Sequence, residues 1–290
     1  MTAPVTARGG ALEIRDLHVR FGGVTAVDVD AIDIPADRIV GIVGANGAGK
    51  TTLFDAISGF VTPSEGSIVM DGTHDLHRLR PHRRAELGLG RSFQNATLFP
   101  TMTVAETIAV AFDRRRPTGG FVSSALGAPW VRRRERTLRA EVAEVVALMG
   151  LDAYYDKFIS ELSTGTRRIV DLGCVIAHRP RLLLLDEPSS GIAQSEVGAL
   201  AELLRRVQAT LGCTMVVVEH DIPMLRSLAD EMYALGLGRV IAHGDPDSVL
   251  SAPAVVSSYL GTSARAVARS GDTGSSEDVT ATENDEETPS

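Results

Sequence analysis

The chain has 290 residues, 44% hydrophobic and 23% charged, an ordinary globular balance long enough to bury a core without disulfide staples. Its 29 basic and 37 acidic residues leave a net charge of -8, which argues against broad phosphate-backbone contact, so no nucleic-acid partner is expected. The two cysteines, Cys174 and Cys213, lie far apart in apolar segments, which excludes a disulfide scaffold or a four-cysteine zinc site and suits a reducing cytosol.

The opening MTAPVTARGG has no apolar core of the kind a signal peptide needs. Residues 11–44 read as strands. Leu12, Ile14 and Leu17 begin an apolar pattern, and Val27 to Asp30 alternates. The pattern then shifts register at Ala31-Ile32, which predicts a bulge or a short break. Ile39–Gly44 is a short apolar run ending in glycine, as in a buried parallel strand. In the segment that follows, Leu53, Ala56 and Ile57 share one helical face and Gly59 marks a helix stop.

About 103–178 is helical in pattern. Thr103 to Glu106 resembles a capping box, and Val142, Val145, Val146 and Met149 recur at helical spacing. A Gly/Pro/Ser stretch, 117–130, separates these pieces. The uncharged run Pro117–Val131 has 15 residues, two of them prolines, and is too short and broken to span a bilayer.

From 181 onward strands and helices alternate: strand 182–185, helix 194–211, strand 215–218, helix 221–229, then a hairpin-like pair at 232–237 and 240–242. That alternation predicts an α/β fold with a mostly parallel sheet covered on both faces, the helical middle inserted as a lobe. Residues 262–290 hold seven acids and two bases with few large apolar groups, and read as a disordered acidic tail. No internal repeat is visible.

Gly44-Ala45-Asn46-Gly47-Ala48-Gly49-Lys50-Thr51 fits the phosphate-loop pattern at every position, after a strand and before a helix. The glycines let successive N–H groups turn toward phosphate oxygens, and the helix adds its positive N-terminal end. Lys50 supplies a point charge for the β- and γ-phosphates and Thr51 a hydroxyl for Mg2+. A second signal is Leu182-Leu183-Leu184-Leu185-Asp186-Glu187-Pro188, an apolar strand ending in two acids. Asp186 would hold Mg2+, and Glu187 would orient and polarise the attacking water.

With these motifs in place the chain resembles the ABC transporter ATPase family over about residues 11–261. Arg91-Ser92-Phe93-Gln94-Asn95 is similar to that family's Q-loop. Leu162-Ser163-Thr164-Gly165-Thr166 is similar to its LSGGQ signature, and Val218-Glu219-His220-Asp221 to its switch-histidine loop. Within the family it looks most like ATP-binding subunits of importers for branched-chain or other hydrophobic amino acids. That likeness is carried by Phe21-Gly22-Gly23-Val24-Thr25-Ala26-Val27, Leu98-Phe99-Pro100, Met102-Thr103-Val104, Gly244-Asp245-Pro246 and Tyr259-Leu260-Gly261. Relatives in this group serve urea and similar solutes, so the solute stays open.

The resemblance implies a P-loop NTPase cassette: a mostly parallel core sheet, an antiparallel β subdomain and a helical lobe inserted at about 95–178. Its cofactors would be ATP and Mg2+. Phe21 would stack on adenine. Gly44, Asn46, Gly47, Ala48, Gly49, Lys50, Thr51 and Thr52 would hold phosphates, while Ser163 and Gly165 would reach the γ-phosphate of the opposite subunit. Glu187, His220 and Gln94 would be catalytic, and Thr51, Gln94 and Asp186 would face the metal. The implied partners are a second cassette, a transmembrane permease and, indirectly, a solute-binding protein, at the cytoplasmic face of the membrane.

Three positions depart from the family pattern. Thr164 and Thr166 replace a glycine and a glutamine in the signature, and Ala193 replaces an aspartate. They keep a second reading open, a weakly hydrolysing regulatory partner. A third, a soluble ABC protein of ribosomes or DNA, lacks the two cassettes or long coiled-coil inserts such proteins carry. Arg114 to Arg116 and Arg132 to Arg134 read either as solvated helix ends or as contacts for anionic lipid or a permease.

Overall fold

The computed structural model describes residues 9–92, 98–113 and 129–259. The expected tail at 262–290, the first arginine cluster and Gln94 lie outside the described residues.

Two sheets form the frame. β1 (Leu12–Phe21) and β2 (Val24–Ile34) make an antiparallel hairpin. β4 (Glu65–Met70) and β5 (His74–Asp75) extend it in the order β2-β1-β4-β5. The second sheet runs β10-β9-β3-β8-β7-β6, with β3 (Ile39–Gly44), β6 (Leu89–Arg91), β7 (Leu182–Asp186), β8 (Thr214–Val218) and β9 (Glu231–Gly236) parallel. Only the edge strand β10 (Arg239–Gly244) is antiparallel. Every residue of β3, β7 and β8 is buried, as strands covered on both faces must be.

Because side chains alternate along a strand, the parallel sheet serves two cores. Val40, Ile42, Leu182, Leu184, Val216 and Val218 point toward the antiparallel sheet and α1 (Lys50–Ser58). Ile39, Val43, Leu183, Leu185, Met215 and Val217 point the other way, toward the remaining helices. On that side lie α3 (Val104–Asp113), α4 (Pro129–Met149), α5 (Thr164–Ile176), α6 (Val197–Leu211) and α7 (Ile222–Leu228). The short α2 (Pro81–Glu86) precedes β6, and α8 (Pro246–Ser251) follows β10. No described helix is long and apolar enough to cross a membrane.

Local chemistry fixes the ends. α1 stops at Gly59, left-handed at φ 85°. The start of α3 is closed by a reciprocal pair, Thr103 N donating to Glu106 Oε2 (2.9 Å) and Glu106 N to Thr103 Oγ1 (3.2 Å). Val104, Ile108 and Phe112 of α3 and Val142, Val145, Val146 and Met149 of α4 join one apolar cluster with the sheet, so the middle helices share the core's face.

The register shift at Ala31-Ile32 does not break β2. Both β1 and β2 change face at the same level, where Asp30 and Ala31 are both exposed and Asp16 of β1 takes φ 47°. The pairing itself slips elsewhere, between Val19 and Arg20. Two strands that shift together keep their ladder, which is why no break is needed.

Candidate functional site

In the parallel sheet β8 lies between β3 and β7, so the loops after these three strands meet at one carboxyl edge. The loop after β3 carries Gly44 to Gly49. The loop after β8 carries His220, and the loop after β7 carries Glu187.

The loop after β3 is tightly wound. Gly49 takes φ 98°, and a Cβ there would collide with the Ala26 carbonyl of β2, so only glycine fits. Gly47 takes φ 81° with open space on its Cβ side, leaving its backbone accessible. Ala48 is buried and its carbonyl accepts from Gly238 N (3.0 Å), while Asn46 is exposed. Lys50 is buried and its Nζ donates to the carbonyls of Gly44 (2.6 Å) and Ala45 (3.1 Å). Burial lowers the Lys50 pKa, and the nearby Glu187 and Asp186 charges oppose that shift. Thr51 is exposed and Thr52 half-buried in the first turn of α1. Phe21, at the end of β1, leaves 53% of its surface in solvent.

Asp186 is buried at the end of β7. Burial raises its pKa, and the Arg91 guanidinium, 3.5 Å from Oδ2, pulls it back down. Glu187 follows at φ 49°, a left-handed conformation costing a non-glycine residue about 1–2 kcal/mol. Three backbone bonds hold it there: its N donates to Val218 O (2.9 Å), and its carbonyl accepts from Ser190 N and from Arg168 Nη2 (both 3.0 Å). The result aims the carboxylate at the loop after β8, where Oε1 meets His220 Nε2 at 2.8 Å.

Glu219, whose role the sequence does not suggest, is 2% exposed. Its Oε1 accepts from Ser189 N (2.6 Å) and its Oε2 from His220 N (3.0 Å), so one carboxylate fastens the loops after β7 and β8. Arg91 and Arg168 were also without a role in the sequence. Their only signal there is a basic residue beside a motif.

The signature turn lies against the loop after β7. Ser163 caps α5, its Oγ accepting from Thr166 N (3.1 Å) and pairing with Thr166 Oγ1 (2.9 Å). Thr164 leans on the loop after β7: a Cβ on Gly191 would come 3.2 Å from the Thr164 methyl. Gly165 faces Ile192 and Glu196 of the same loop. Among the described residues no hydrogen bond ties Ser163–Gly165 to the loop after β3. The structure therefore brings Lys50, Asp186, Glu187 and His220 together, with Gly44 to Thr52 beside them, and sets the turn of Ser163 to Gly165 against the loop after β7. The placement of Gln94 lies outside the described residues.

A nucleoside triphosphate with a divalent cation fits this donor set. The open backbone at Gly47 and the buried Lys50 ammonium suit phosphate, and the Thr51 hydroxyl with the Asp186 carboxylate is oxygen chemistry suited to Mg2+.

Comparison with known proteins agrees with that geometry. The family model described as ABC transporter matches residues 28–190. The chain is 32% identical over 250 residues to the high-affinity branched-chain amino acid transport ATP-binding protein BraF of Pseudomonas aeruginosa, covering 86% of this chain and 97% of that protein. It is likewise 32% identical over 250 residues to LivG of Escherichia coli K12, which carries the same description, with the same coverage. Among solved structures, the ADP conformation of MJ1267, an ATP-binding cassette of an ABC transporter, superposes with a TM-score of 0.73 at 26% identity. The match covers 88% of this chain and 100% of that one.

Proposed function

The chain belongs to the ABC transporter family and is a nucleotide-binding ATPase, and we propose that it powers an importer, for branched-chain or other hydrophobic amino acids. The cassette is residues 11–261 with the helical lobe at 95–178. It works in a head-to-tail pair beneath a transmembrane permease at the cytoplasmic membrane face, and a solute-binding protein delivers the cargo.

The observation that carries the catalytic half is the Glu187–His220 contact of 2.8 Å beside Lys50. Glu187 accepts a proton from the attacking water. His220 holds the Glu187 carboxylate and donates toward the γ-phosphate. Lys50, with the N–H groups of Gly47 to Thr52, receives the phosphate charge. Phe21 stacks on adenine. Thr51 and Asp186, with Gln94, would hold Mg2+, which would neutralise phosphate charge when bound.

The signature supports the paired arrangement. Ser163 and Gly165 make their bonds and contacts within α5 and the loop after β7, which leaves them to complete a partner's site. A permease segment fits the groove of about 760 Å³ lined by Phe60, His82, Arg91, Val175 and His178, between β6 and α5.

Glu187→Gln tests the catalytic assignment: the variant should bind ATP, dimerise with it and lose hydrolysis, and a variant as fast as the parent overturns the assigned base. Leucine uptake by vesicles holding the permease, the binding protein and this chain tests the solute. Uptake of urea but not leucine would replace it. The departures at Thr164, Thr166 and Ala193 favour a second reading, a slow regulatory partner. Tight ATP binding without phosphate release in the full assembly would select it.

A further inference from the structure

Arg91 ends the three-residue strand β6 and pairs with Leu184 of β7, two residues before Asp186. Its side chain is 8% exposed. Nη1 donates to Asp55 Oδ1 (2.6 Å) and to Ser58 Oγ (3.3 Å) on α1, and Nη2 reaches Asp186 Oδ2 at 3.5 Å. The same guanidinium lies 5.9 Å from the Phe54 ring centre and 5.8 Å from that of Phe60. Phe54 is buried, whereas Phe60 is 56% exposed and, like Arg91 and Ser58, lines the groove of about 760 Å³.

One side chain thus touches the buried carboxylate at the nucleotide edge and the wall of a surface groove. A carboxylate buried to 7% side-chain exposure needs a fixed counter-charge to stay ionised and in one rotamer. Arg91 is planar and delocalised, so it can share its N–H groups between Asp55 and Asp186 while lying over the Phe54 and Phe60 rings. A lysine offers charge without that fork.

We propose that Arg91 is a positioning residue which fixes the Asp186 carboxylate for a divalent cation, and that its stacking on Phe60 makes this fixation respond to the groove. The inference rests on the magnesium–ATP site proposed above. Outer-sphere partners of this kind set metal affinity by about tenfold or more. Covering Phe60 with another protein would exclude water from the guanidinium and tighten its hold on Asp55 and Asp186.

The test is binding of a fluorescent ATP analogue to the full chain, in EDTA and across a Mg2+ titration, with no turnover needed. Arg91→Gln should move the Mg2+ midpoint about tenfold higher while binding in EDTA stays within about twofold of the parent. Arg91→Lys should recover part of that shift. Phe60→Leu, at an exposed position that does not endanger folding, should move the midpoint about threefold in the same direction. An unchanged midpoint in Arg91→Gln, or an equal loss in EDTA, overturns the positioning role. If Arg91→Gln does not fold, a parent-like midpoint in both Arg91→Lys and Phe60→Leu overturns it. A parent-like midpoint in Phe60→Leu alone overturns the link to the groove. A parent chain that binds the analogue without any Mg2+ effect removes the metal site itself, a different failure from a parent-like Arg91→Gln.

Discussion

The carboxylate of Glu187 and the imidazole of His220 meet at 2.8 Å although they leave different strands, β7 and β8. The contact depends on a left-handed Glu187 backbone, and Arg168 of α5 donates to its carbonyl. The Glu187–His220 pair is therefore tied to the same helix that carries the signature turn, so movement of that helix reaches Glu187 through its backbone.

Removing the histidine should leave binding intact and slow the chemistry. His220→Ala is expected to lower kcat by about 100-fold with the nucleotide Kd within about twofold. Steady-state hydrolysis in the assembled transporter, beside equilibrium binding, separates the two quantities. A Kd that worsens as much as kcat would make His220 a binding residue.

Glu219 should matter for stability through the two loops it joins. Its carboxylate receives N–H groups from both the Ser189 and His220 loops. Glu219→Ala would leave those donors unpaired, at a cost of about 2–4 kcal/mol in urea unfolding, and Glu219→Gln would cost less. A Glu219→Ala chain as stable as the parent would deny it this fastening role.

Two loop glycines should differ sharply. Gly49→Ala meets both a positive φ and the Ala26 carbonyl, whereas Gly47→Ala meets a positive φ alone. Gly47→Ala should cost about 1 kcal/mol, and Gly49→Ala more than about 3 kcal/mol together with nucleotide binding. Urea denaturation of both variants measures the gap, and equal costs would deny the close approach of β2.

Asp171, on α5, sets a pH dependence. Burial raises its pKa from 3.8 to about 6, with Arg168 opposing. The folded chain therefore holds this proton more tightly than the unfolded chain does. The associated stability is complete below about pH 4 and lost as pH rises through about 6, a change of about 3 kcal/mol. Asp171→Asn should raise stability by about 2–3 kcal/mol at pH 7.5 and match the parent near pH 4. Thermal unfolding at the two pH values checks it, and a variant no more stable at pH 7.5 would contradict the shift.

The local order of the chain was enough to place the loop from Gly44 to Thr51 between a strand and a helix. It also set Asp186 and Glu187 at a strand end and predicted the Thr103–Glu106 cap. Each is written in a few consecutive residues, where propensity and hydrogen-bond reach are short-range. β6 escaped because three residues carry too little periodicity to distinguish a strand. Glu219 and Arg91 had no assigned role because their partners come from distant segments: Arg91 pairs with Asp186, 95 positions away, and Glu219 with Ser189, 30 away. Such contacts exist only once β3, β8, β7 and β6 stand side by side, and the order of strands in a sheet is decided by how the whole chain buries its apolar faces. The sequence determined which chemical groups this protein carries at its strand ends. Tertiary packing decided which of them touch, and the left-handed turn at Glu187 that brings it to His220 is held by bonds from Val218, Ser190 and Arg168.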